Sequence, residues 1–253
     1  MDANEFLKNC QIVLIAGGPG SRLMHRTNGK IPKHLLKIGN KTLVDYAINM
    51  YTKFGCRNFV FLLGHLGDKI KEYVQNKYGK TIKSKFMIEK ERLGRALALK
   101  MAIESNIIDK TKPCIVHYPD DIILDNNFPL KLVEHHLKGL KKGALATLVE
   151  VSETEYRYGV PKSDKDGFVV DFEEKPLVKI PATIGVYVFQ PEIYRIISSV
   201  VDSKRKPVDI EPLLLRELAK RKIMINFSIG NDIWIPVNEE KEFIRAEQIL
   251  AKE

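Results

Sequence analysis

Short apolar runs alternate along the chain with segments whose apolar residues recur every three or four positions. The runs cover 11–16, 58–63, 85–88, 114–118 and 144–151, then 167–172, 184–189, 223–229 and 232–235. Many place Val, Ile and Phe on successive positions, as strands buried on both faces do. Helical periodicity lies between them, over 41–54, 68–78, 95–107, 130–140, 191–200, 209–221 and 239–252; in the first it is carried by Leu43, Ala47, Met50 and Phe54. Regular alternation of strand and helix through the first half predicts βαβ units and a mostly parallel sheet. The stretch 144–190 breaks that alternation with three strands and few helical residues between them, which reads as a locally antiparallel insertion. No repeat, low-complexity tract or Pro/Ser-rich linker divides the chain, so 1–253 reads as one domain with two halves, about 1–140 and about 141–253.

Composition narrows the class. Hydrophobic residues make up 44% of 253, enough for a sizeable core, which excludes disorder as the overall state. No run approaches the ~18 apolar residues of a membrane helix. The start, Met1-Asp2-Ala3-Asn4-Glu5, carries acids where a secretory leader carries positive charge and is read as entering a strand directly. The expectation is a soluble, cytoplasmic protein with no membrane partner. Cys10, Cys56 and Cys114 form no Cys-x-x-Cys pair and read as buried thiols in a reducing compartment. His135 and His136 have no carboxylate or cysteine at ligand spacing and read as solvated helix positions; Lys138 to Lys142 read as basic surface. Lys+Arg number 41 against 32 Asp+Glu, a net charge of +9, which suits an anionic partner but is equally the mark of a lysine-rich composition. A nucleic-acid partner is not expected, because aromatic platforms and a basic recognition helix are both missing.

The first strand runs through Ala16 into Gly17-Gly18-Pro19-Gly20-Ser21-Arg22-Leu23. Glycines at a strand end let the backbone turn sharply and bring N–H groups close to a phosphate. The dinucleotide fingerprint fails here, since Leu23 stands at its third glycine and Asp45 lies within a helical pattern. A nucleotide-hydrolase loop fails for want of Gly-Lys-Ser/Thr. What remains, Gly-Gly-x-Gly-Ser-Arg-Leu with Ile31-Pro32-Lys33 further on, resembles the opening of the sugar-1-phosphate nucleotidyltransferases, or nucleotide-sugar pyrophosphorylases. His34 departs from it, standing where the family usually has proline.

Further motifs extend that resemblance over nearly the whole chain. Glu89-Lys90-Glu91-Arg92-Leu93-Gly94 occupies the place of the family's base-reading segment, with Arg95 and Leu97 departing from the usual Thr and Gly. An ionised Glu89 only accepts hydrogen bonds, which leans toward guanine with its two adjacent donors; a rim carboxylate paired with Lys85 or Lys90 is the competing reading. Asp120, at the end of a buried strand, falls on the family's metal aspartate, and Asp121 reads as a neighbour that tunes charge or caps a turn. Pro236 stands where many members have a second acid; Asn238 reads either as the substitute ligand or as a helix N-cap. Tyr158-Gly159-Val160 and the run from Asp166 through Glu174-Lys175-Pro176 match the sugar-phosphate motifs, and Gly185 opens the strand that follows, with Thr183 in place of an asparagine seen in some relatives.

The resemblance implies a three-layer, Rossmann-like (GT-A-like) α/β fold, with a mostly parallel sheet, helices on both faces and a small antiparallel sugar-binding insertion. The first half would bind nucleotide and the second sugar phosphate, in a single-domain form without a hexapeptide-repeat tail. It implies an Mg²⁺-dependent transfer from an NTP to a sugar 1-phosphate, with a weak lean to GTP and a mannose- or heptose-type sugar, UTP or dTTP with glucose 1-phosphate standing as the other choice. Arg22, Lys33 and Lys175 would be catalytic. Ala16, Gly17, Gly18, Gly20, Ser21, Glu89 and Gly94 would hold the nucleotide, and Tyr158, Gly159, Glu174, Lys175 and Gly185 the sugar phosphate. Asp120 and Asn238 would hold the metal. A homo-oligomer is left open. The alternatives are a cytidylyltransferase acting on a non-sugar phosphate and a non-catalytic nucleotide-sugar-binding regulatory subunit.

Overall fold

Gln11–Ala16 is buried at every position, and successive residues face opposite layers. Ile12 and Leu14 join one hydrophobic cluster; Val13 and Ile15 join another. That division is what a strand covered on both faces requires. The computed structural model describes residues 1–204 and 206–250.

The central sheet has seven strands. Across it lie Met224–Ile229, Ala146–Val151, Ala182–Phe189, Cys114–His117, Gln11–Ala16, Asn58–Leu63 and Lys83–Ile88. All pairings are parallel except those of Ala182–Phe189, which runs antiparallel to both neighbours. One face is covered by the helices Ala3–Asn9, Leu43–Thr52, Gly67–Tyr78 and Phe128–Leu140, through residues such as Phe6, Ile48, Ile70 and Leu132. The other is covered by Arg95–Glu104, Pro191–Val200 and the helical stretch 211–220, through Leu97, Ile193 and Leu214. The α/β, three-layer expectation therefore holds. No described helix is long and apolar enough to cross a membrane.

A third cluster, Leu23, Leu36, Ile38, Leu43, Ile122, Ile235, Val237, Phe243, Ala246 and Leu250, lies beyond the sheet edge. It seats the helix Glu240–Leu250 and the strand Trp234–Pro236 against the segment that follows the glycine turn. Arg26 reinforces the seat, donating to Glu240 from Nε at 2.8 Å and lying 4.1 Å over the Phe243 ring.

Several local readings change. The segment entering the first strand is a helix, Ala3–Asn9, whose first turn is capped by Asp2 accepting from the Glu5 N–H at 2.8 Å. Its seven residues are too few for periodicity to show. The stretch 144–190 holds six strands rather than three, two of them pairs of residues. Within it the hairpin Val160–Ser163 and Val169–Glu173 is antiparallel and largely exposed. The helix expected over 239–252 is seen over Glu240–Leu250, and residue 252 lies outside the described residues. His136 is not solvated. It is fully buried, bonded through Nδ1 to Thr147 Oγ1 and through Nε2 to the Gln190 amide, both at 2.8 Å. The three thiols are buried and free.

Candidate active site

In an open α/β sheet, ligands bind beyond the carboxyl ends of the strands. Here the glycine turn leaves Ala16, Glu89 follows Ile88, and Asp120 lies three residues beyond His117, so three loops meet at one edge. The cleft they form has a volume of about 360 Å³. It is lined by Gly17, Gly18, Gly20, Ser21, Arg22, Lys33, Glu89, Gly94, Asp120 and Asn238 among the residues expected from sequence.

The glycines have distinct reasons to be there. Gly20 is left-handed, at φ +62°, and a Cβ on it would stand 2.8 Å from that of Lys33. The turn therefore closes directly onto the lysine. A Cβ on Gly17 would come within 3.3 Å of Glu89 Oε1, which places the glycine turn against that carboxylate. Gly94, at φ +81°, is needed for a reason the sequence did not suggest. A side chain there would strike the Val208 backbone, with N at 2.4 Å. Leu93 and Ala96 bond that same residue, at 2.9 Å each, so the 206–209 segment is stitched to the 89–94 loop.

Electrostatics concentrate around Lys33. It is almost buried, and its Nζ donates to Asp120 Oδ2 at 2.6 Å and to Asn238 Oδ1 at 3.0 Å. Burial pushes the Asp120 carboxyl up, but the Lys33 charge outweighs it and holds the group below its ordinary range. Two oxygens from distant parts of the chain thus converge on one cation. That donor set, a carboxylate and a carboxamide, also suits a divalent ion such as Mg²⁺. The Asn238 side chain does not cap the last helix; Glu242 does, accepting from the Asn238 and Glu239 N–H groups. Asp121 points the other way. Its Oδ1 accepts from the Trp234 indole at 2.8 Å and its Oδ2 from the Gly185 N–H at 3.0 Å, and burial beside Asp120 lifts its pKa to about 7.

Glu89 is partly buried, which raises its pKa, and its Oε2 accepts from the Leu93 N–H at 3.2 Å. Lys85 donates to the Ile107 carbonyl instead, so the rim pair with Lys85 is not formed.

The residues expected from sequence to hold the sugar phosphate form a separate group. Tyr158, Gly159, Glu174 and Lys175 lie on the exposed insertion and do not line the cleft, and neither does buried Ala16. Gly159 packs under the Phe172 ring and beside Glu174 Oε2, while Lys175 Nζ is 3.6 Å from Glu174. Gly185 joins the two groups, since a Cβ there would meet both Tyr118, which lines the cleft, and Asp121. Residues missed by sequence reading also line the cleft: His34, Arg92, Arg95, Tyr118 and Asp209. Arg95 lies 4.8 Å over the Tyr118 ring and donates from Nε to Asp209 at 3.0 Å. Its departure from the motif was the available clue.

A nucleotidyl transferase family model matches residues 11–253. The chain belongs to that family. This nucleotidyltransferase chain is 28% identical over 242 residues to the mannose-1-phosphate guanyltransferase of Pichia angusta, spanning 92% of this chain and 62% of that protein. It is also 28% identical over 249 residues to the low-salt glycan biosynthesis nucleotidyltransferase Agl11 of Haloferax volcanii, covering 95% of this chain and 66% of that protein. The chain thus spans somewhat under two thirds of the length of the curated relatives it matches. A solved UDP-glucose pyrophosphorylase bound to UDP-glucose shares the fold at a TM-score of 0.71 and 21% identity, covering 96% of this nucleotidyltransferase and 99% of that chain.

Proposed function

We propose that the chain transfers a nucleotidyl group from an NTP to a sugar 1-phosphate, releasing pyrophosphate. The observation that carries this reading is the meeting of Arg22, Lys33, Asp120, Asn238 and Glu89 in one cleft. A phosphate oxygen of the sugar phosphate attacks the α-phosphorus, the bridging α–β bond breaks, and pyrophosphate leaves with the electron pair. Little covalent work falls to the protein in such a transfer, so positioning and charge compensation dominate. Arg22 offers a planar fork to the leaving phosphates and Lys33 a compact charge. The turn's N–H groups surround the same anion. Lys175 offsets repulsion between the two anionic reactants, with Glu174 on the sugar hydroxyls. Asp120 and Asn238 would hold Mg²⁺, which supplies charge neutralisation at the reacting phosphates when bound.

GTP is the preferred nucleotide in this reading. Glu89 Oε1 is free of the Leu93 bond and accepts from a guanine edge, and the relatives named mannose-1-phosphate guanyltransferase agree with a mannose-type sugar phosphate. A matrix of common NTPs against several sugar 1-phosphates, scored by pyrophosphate release with Mg²⁺, tests it. The strongest release is expected for GTP with mannose 1-phosphate. Release from no pair, with nucleotide still bound, would instead mark a regulatory binder.

A further inference from the structure

Two oxygens are few for a divalent ion held in a cleft. Pro236 pairs with Asp121 across a short ladder, and the Val237 N–H donates to the Asp120 carbonyl at 2.8 Å. Position 236 therefore lies beside the acids yet offers no side-chain donor. His34 directly follows Lys33 in the chain. It lines the same cleft, is 4% exposed, and its Nδ1 has no hydrogen-bond partner. Buried polar atoms are nearly always paired, so an orphaned imidazole nitrogen calls for an explanation. The ring directly follows the lysine whose Nζ bridges Asp120 and Asn238, and all four residues line the one cleft. A neutral imidazole carries a lone pair suited to a metal.

We propose that His34 is a third protein ligand of the divalent-cation site formed by Asp120 and Asn238, supplying the donor that position 236 lacks. The proposal rests on the nucleotidyltransferase reading of the cleft and adds to it a cation preference. A nitrogen in the donor set moves selectivity from Mg²⁺ toward later first-row ions, which imidazole favours.

Binding of Mn²⁺ alone to the full chain tests this without turnover. Electron spin-echo spectra of the bound ion should show directly bonded nitrogen, and that coupling should vanish in His34→Leu. Loss of the ligand should weaken Mn²⁺ binding about tenfold, read from the free-ion resonance. Asp120→Ala, which removes the carboxylate, should abolish binding. Bound Mn²⁺ without nitrogen coupling in the wild-type chain overturns the role of His34 while leaving the cleft reading intact, and that measurement decides the matter even where His34→Leu fails to fold. Unchanged affinity in a folded His34→Leu chain does the same. Mn²⁺ held equally well by Asp120→Ala would overturn the cation site itself.

Discussion

Lys33 sits between two roles. Its ammonium satisfies Asp120 and Asn238, and in the proposed reaction the same charge faces the departing pyrophosphate. Removing a resident cation from two oxygens frees them for another. Lys33→Ala should therefore raise Mn²⁺ affinity in calorimetric titration while lowering turnover, an opposition that a merely structural lysine would not produce. Arg22 and Lys175 separate differently, because one lines the cleft and the other lies outside it. Lys175→Ala should mainly raise KM for the sugar phosphate, whereas Arg22→Ala and Asp120→Ala should mainly lower kcat. Steady-state kinetics with near wild-type constants for all three would contradict the assignment. The residues that sequence read well are those whose chemistry is local to a motif, such as Gly20, Arg22 and Asp120. His34 and Arg95 were visible only as departures; the partner of Arg95, Asp209, lies 114 positions away.

Among the elements, those with long regular patterns were legible. Gln11–Ala16, Asn58–Leu63 and Pro191–Val200 have the bounds that periodicity predicts. The helix Ala3–Asn9 and the two-residue strands were not, because so short a segment owes its form to tertiary contacts rather than to its own pattern. His136 was misread for the same reason, as burial depends on Phe6 and Thr147 covering the helix from outside it. Gly94 shows an element held by a backbone pairing that no motif records. Gly94→Ala must tolerate φ +81° and a Cβ driven into Val208, so a loss of about 1–3 kcal/mol is expected from urea unfolding. Nucleotide affinity should fall with it, because Asp209 of the stitched segment lines the same cleft as Glu89.

For the molecule as a whole, stability should depend on pH through its buried imidazoles. His117 accepts from the Tyr51 hydroxyl at 2.9 Å and donates to the Asp121 carbonyl at 2.8 Å, while His136 is held between Thr147 and Gln190. Burial lowers both to about 4. Between that value and the ordinary pKa of about 6.5, the unfolded chain binds more protons than the folded one, so stability rises with pH. The contribution is complete above the upper limit and is lost as pH falls toward the lower. At about 1.4 kcal/mol per pH unit, each histidine contributes at most ~3 kcal/mol across the window. Asp121, lifted to about 7, acts in the opposite sense over this window, so the histidine contribution is read as a difference: urea midpoints measured from pH 7 down to 4.5 should drop less in His136→Gln than in the unaltered chain.

The reach of Asn238 across 205 positions to Lys33 bears on how the protein comes to life during synthesis. A growing polypeptide can complete the strand order around the glycine turn long before Asn238 leaves the ribosome. Until Asn238 arrives, the pair Lys33 and Asp120 lacks its third member. Translation products cut short before Asn238 are thus expected to be inert even where they are folded.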